Sequence, residues 1–181
     1  MKKLFTVISL LLLPIWALQA QTLALNIEAP PELTITVISD GVLDFGSLLQ
    51  NQGTVQIQLQ DPQTETISIE GEHNRDVRVT IYPPPALQLD ADNKLPFTLG
   101  AAYANDGEDN KNQATVFSGN TATFPIYQDD GGGPPPWAKG GKKGGGPPTS
   151  KAYLYIYGDI TVGNDRAGTY TGTINISVEY D

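Results

Sequence analysis

His73 is the one histidine among the 181 residues, and cysteine is absent. Zinc sites draw mainly on His and Cys, and Ser or Cys nucleophiles need a neighbouring base. Such chemistry would have to run through His73, which lies in the turn-like stretch GEHNRD, and the chain has no nucleophile-elbow sequence. A solvated turn residue is the plainer reading of His73. Two acidic stretches, DADNK (residues 90–94) and NDGEDN (residues 105–110), carry oxygen ligands that calcium takes. Neither has the ligand spacing of a calcium loop, and Asp, Asn and Gly form turns in their own right. Nothing in the spacing of the remaining carboxylates singles out a pair for glycoside hydrolysis. No catalytic residue, metal site or cofactor is expected, and the chain reads as a non-enzyme.

Aromatic residues offer binding chemistry instead. Tyr153, Tyr155 and Tyr157 alternate with Leu154 and Ile156, which puts three rings on one face of a strand. As function, the stripe is a carbohydrate or partner platform; as structure, it is good strand composition on a partly covered face. Trp137 stands in GGGPPPWAKGGKKGGGPP (residues 131–148), where 13 of 18 residues are Gly or Pro. Glycine is costly to order and proline donates no hydrogen bond, so this stretch is expected to be a mobile loop. With Lys139, Lys142, Lys143 and Lys151 the region is basic on an acidic protein. It reads either as a binding finger with Trp137 as ligand contact, or as a tolerated insertion.

The elements that would position these residues are strands. LTITV (Leu33, Ile35, Val37), TVQIQLQ (Val55, Ile57, Leu59), TISIE (Ile67, Ile69) and VRVTIY (Val77, Val79, Ile81) alternate apolar with polar. So do FTLGAAY (Phe97, Leu99, Ala101, Tyr103), ITV (Ile160, Val162) and the ending INISVEY (Ile174, Ile176, Val178, Tyr180). Turn-forming clusters separate them, and no convincing helical period follows residue 20. The expected fold class is all-β, an antiparallel immunoglobulin-like or pilin-like sandwich.

Residues 1–20, MKKLFTVISLLLLPIWALQA, have a basic start, an apolar middle broken by Pro14 and a small-residue exit. They read as a signal peptide, cut after Ala20. Residues 21–181 then form a single domain, and its removal of two lysines and no acid shifts the net charge from −9 to −11. That charge argues against nucleic acid and anionic membranes as partners. The mature chain has no apolar tail to span a membrane and no cysteine to carry a lipid. The expected localisation is therefore export to the periplasm, then the cell surface or the medium of a bacterium.

The stretches GVLDFGSL, YGDITVG and AGTYTGTINISVEYD resemble the bacterial secreted family known as domain of unknown function (DUF) 4402. The resemblance covers most of the mature chain except the Gly/Pro loop and is strongest over residues 157–181. The ending is also similar to that of chaperone–usher pilins, which close on an alternating strand with a penultimate aromatic and a glycine a dozen residues earlier. Tyr180 and Gly168 take those places here. LDFG (residues 43–46) resembles the archaic, spore-coat-U-like branch, from which this chain differs in lacking cysteine.

The pilin resemblance implies a groove beside the last strand, filled by a segment from a chaperone or a neighbouring subunit. It implies contacts at Gly168, Ile174, Ile176, Val178 and Tyr180. A donor segment is expected at the mature N-terminus, where Leu23, Leu25, Ile27 and Ala29 alternate ahead of Pro30 and Pro31. Residues 23–29 and 33–38 read equally as two halves of one first strand that changes sheets at the prolines. The implied partners are further copies or related subunits, with a periplasmic chaperone and usher. A self-complemented, secreted monomer that binds glycan or protein is the alternative.

Overall fold

The computed structural model describes residues 17–73, 75–127 and 149–181. Most of the expected signal peptide and the Gly/Pro loop with Trp137, Lys139, Lys142 and Lys143 lie outside the described residues. The protein is all-β, with thirteen strands and a single 3-10 turn, Lys111–Gln113, among the described residues.

The strands are β1 (Ala17–Glu28), β2 (Thr34–Val37), β3 (Val42–Asp44), β4 (Leu48–Leu49), β5 (Gly53–Ile57), β6 (Glu65–Glu72) and β7 (Asp76–Tyr82). They continue with β8 (Ala86–Gln88), β9 (Lys94–Ala104), β10 (Thr115–Val116), β11 (Thr121–Pro125), β12 (Thr149–Val162) and β13 (Thr169–Tyr180). One hydrogen-bonded path runs β11-β7-β13-β8-β9-β12-β6-β2, curled so that its two halves face each other. β1 lies on the outer side of β13 and carries β3 and β4, while β5 extends the edge of β12 past the end of β6.

The periodicity of the sequence accounts for the filling between the halves. Ile174, Ile176 and Val178 of β13 and Val77, Val79 and Ile81 of β7 all point inward and are buried. From the facing side come Leu154, Ile156 and Ile160 of β12, Ile67 and Ile69 of β6, and Leu95 and Phe97 of β9, in the same core. Fully burying one such side chain contributes about 1.5–3 kcal/mol, so the alternation alone supplies a large drive to close the sheet on itself.

Among the described residues every paired set of strands is antiparallel except β1 with β13, which is parallel from Gln21↔Tyr170 to Glu28↔Ser177. The expected all-β, sandwich-like fold is present, and β1 is its one parallel addition among the described residues. Antiparallel neighbours arise from short hairpins, whereas a parallel pair needs a long crossover; here nearly the whole chain lies between the two partners. After Glu28 the chain turns, with Leu33 N–H donating to the Pro30 carbonyl at 3.1 Å, and enters β2 on the other half of the fold. Residues 23–28 and 34–37 therefore sit on different sheets either side of the prolines.

Candidate assembly interface

β13 lies between β7 and β1. Its antiparallel register with β7 runs from Asn175↔Tyr82 to Tyr180↔Val77, and β1 covers the opposite edge. Of the expected contact residues, Ile174, Ile176 and Val178 are buried, and Tyr180 is half-buried. The Tyr180 hydroxyl accepts the Glu72 N–H at 3.0 Å, and the Arg75 guanidinium lies 3.7 Å above the ring. A Cβ on Gly71 would lie 2.5 Å from that hydroxyl, so only glycine leaves room for it. Tyr180 thus pins the end of β13 across to the β6–β7 turn.

β1 places its residues on β13 as the alternation requires. Leu23 is wholly buried; Leu25 and Ile27 are half-buried against the same core. Ala29 departs from the expected donor set: it lies past the end of β1 and is exposed. The residue before a proline is conformationally restricted and the proline itself donates nothing to a ladder, so pairing ends at Glu28.

Three features of this seam were missed from the sequence. Gly172 faces Leu23, and a Cβ there would stand 2.7 Å from the Leu23 Cδ2, so the glycine makes the hole that Leu23 fills. A lone glycine inside a strand is the signal that could have revealed this close approach. Asn26 Nδ2 donates to Asn175 Oδ1 at 2.9 Å across the parallel pair. Gln21, fully buried, reaches over with its side chain: Nε2 donates to the Gly168 carbonyl at 3.4 Å, and Oε1 accepts the Tyr170 N–H at 3.2 Å. Gly168 therefore does belong to the seam, through its carbonyl, while a Cβ on it would strike Leu89 at 2.8 Å.

The tyrosine stripe is divided. Tyr155 is buried with Ala102 and Ala104 in a small second core, and its hydroxyl donates to Asp109 at 2.8 Å. Burial first, then the Asp109 carboxylate, push its pKa far up and keep it protonated. This corrects its assignment as a ligand contact, because the segment carrying Asp109 folds over it. Tyr153 and Tyr157 remain half-exposed.

His73 is packed rather than freely solvated: it stacks on Tyr127 at 4.8 Å between centroids, and its Nδ1 is 2.7 Å from the Ser150 hydroxyl. The acidic turns cap themselves. Asp90 accepts the N–H groups of Asp92 and Asn93, and Asp106 accepts that of Glu108. Among the described residues no group of three or more His, Asp or Glu is placed to hold a metal ion, and no helix is long and apolar enough to cross a membrane.

Beside the seam, a cleft of about 600 Å³ opens between β3 and β5, lined by Asp40, Asp44, Phe45, Val55, Asp61 and Glu65. Glu65 is buried, accepts hydrogen bonds from the Ser39 hydroxyl and, at 2.9 Å, the Gly41 N–H, and has its pKa raised chiefly by loss of water. No protein-family model matches this chain, and no curated protein matches it at a significant level.

Proposed function

We propose that the chain is a non-catalytic, exported structural protein: a pilin-like subunit of a bacterial surface fibre that assembles by exchange of β1 between copies. The observation that carries this reading is the manner in which β1 is held. It fills a groove beside β13 with alternate side chains, and after Glu28 the chain leaves it through the Pro30–Pro31 crossing into β2. A neighbour's β1, entering the same groove, would make the same main-chain bonds and fill the same holes. Removal from the periplasm would then run through a chaperone that holds the groove and an usher that releases it.

A second reading is favoured by the seating of β1 on its own β13. In it the protein is a self-complemented secreted monomer whose half-exposed Tyr153 and Tyr157 contribute to a glycan or protein site.

Removing residues 21–29 separates the two. Under strand exchange, full-length protein forms concentration-dependent oligomers in size-exclusion chromatography, and the truncated form forms none. The peptide TLALNIEA restores the truncated domain, adding about 2.7 kcal/mol at a concentration 100 times its Kd. Full-length chain that stays monomeric when mixed at high concentration with the truncated form would sink the fibre reading and leave the monomer.

A further inference from the structure

At Gln21 the register of β1 on β13 shifts, between Gln19↔Thr169 and Gln21↔Tyr170. There the side-chain amide does the work of a peptide group, bonding the Gly168 carbonyl and the Tyr170 N–H on the β13 side. The main chain of Gln21 faces the other way. Its N–H donates to the Gly46 carbonyl at 3.3 Å, and its carbonyl accepts from Phe45 N–H at 2.9 Å, just beyond β3. Side-chain amide and main-chain nitrogen are thus drawn to opposite neighbours.

On the export reading above, on which this inference rests, a cut after Ala20 turns that nitrogen into a free α-amine. An N-terminal glutamine can react with itself. The uncharged amine attacks its own Cδ, an N–Cδ bond forms, the bond from Cδ to Nε2 breaks, and Nε2 leaves as ammonia with a proton from the amine. The product is a five-membered lactam without a terminal charge. The α-amine has a pKa of about 7.7–8.0, so part of it is uncharged near neutrality, and the reaction needs no other reagent.

We propose that Gln21 is a modification site guarded by the seating of β1: it cyclises to pyroglutamate only while β1 is out of its groove. Ring closure brings the nitrogen onto Cδ, which requires giving up the bonds to Gly168 and Tyr170. The lactam has lost Nε2 as a donor, so a cyclised strand returns without its bond to the Gly168 carbonyl. The chemical state of Gln21 is therefore a record of the time β1 spends unpaired.

The test follows ammonia loss by intact-mass and terminal-peptide mass spectrometry at near-neutral pH. It uses the protein as secreted and a full domain released at Gln21 by proteolytic removal of a leader. The folded domain is expected to cyclise at least about 10-fold more slowly than the same chain in urea or the free peptide QTLALNIEA. Ten-fold corresponds to about 1.4 kcal/mol of opening free energy. Leu23→Asp, which unseats β1, should bring the rate towards that of the peptide. Equal rates in folded and unfolded wild-type chain would overturn the proposal without any variant being needed. A secreted protein that begins elsewhere than Gln21 would count against the expected cut, while the leader-released domain still decides whether seating protects.

Discussion

β12 and β1 both run through the core, but they are held differently. β12 is paired on both edges by antiparallel partners, with β6 over eight positions and with β9 over eight more. Its inward side chains Leu154, Ile156 and Ile160 are completely buried. β1 has one long partner, β13, in parallel; its other edge meets β4 at two positions and β3 at three, with flanking main-chain bonds from Gln21 and Leu25. Of Leu23, Leu25 and Ile27, Leu23 alone is fully buried, while Leu25 and Ile27 keep some exposure. A strand paired along both edges cannot leave without unfolding the domain. One whose second edge is held only by short partners and is unpaired after Leu25, and which leaves the sheet through two prolines, should open locally at a lower free energy than the core around it. The difference teaches that core burial and permanence are separate properties of a strand.

The comparison can be broken most directly in the core. Leu154→Ala in β12 and Leu23→Ala in β1 should each cost about 2–5 kcal/mol, measured by urea denaturation. Only the second loss should be recovered by adding wild-type TLALNIEA peptide. Recovery of both, or of neither, would erase the distinction between the two strands.

Gly172→Val puts a side chain where Leu23 packs and should cost about 1–3 kcal/mol by overpacking, with a matching rise in hydrogen exchange confined to β1. The double variant with Leu23→Ala should be less damaging than the sum of the two, since the smaller residue vacates the contested space. A strictly additive pair would mean that Leu23 does not occupy the hole at Gly172.

Tyr180→Phe removes the acceptor of the Glu72 N–H and leaves the ring under Arg75. The expected loss is about 0.5–1.5 kcal/mol with unchanged seating of β1, read from peptide affinity, because Tyr180 anchors the β6 side of β13.

The smallest effect concerns pH and the cleft beside the seam. Glu65 has a raised pKa in the folded protein, so between its ordinary value and the raised one the native state binds more protons than the unfolded state. Stability contributed by Glu65 is then present at acid pH and falls as pH rises through the folded pKa. Glu65→Gln should flatten that part of the melting-temperature profile above about pH 4.5. An unchanged profile would show that burial does not govern this carboxyl.

Much of this was legible in the chain because a strand writes its inner face locally. Ile174, Ile176 and Val178 point inward, and Val77, Val79 and Ile81 do likewise, as period two demands. The candidate seam was legible only in part. Leu23, Leu25 and Ile27 announce a buried face, but nothing near Gln21 states that its amide will replace a peptide group. The outer face of β6 misled in the other direction. Thr66 and Ser68 alternate with Ile67 and Ile69 as solvent-facing residues should, yet they are buried, with Tyr155 and Tyr153 opposite them on β12. Tyr155 looked like a platform until residues 105–110 came back over it.

The amino-acid order by itself determined that this chain makes strands, which side of each is apolar, where the turns fall and where β1 must stop, since each of these depends on residues within a few positions. The tertiary structure alone decided which strands become neighbours, that β1 runs parallel to β13, and which polar residues lose their water. Those outcomes depend on segments nearly 150 positions apart, such as Gln21 and Tyr170, and a local pattern carries no record of the partner that a distant stretch of chain will bring to it.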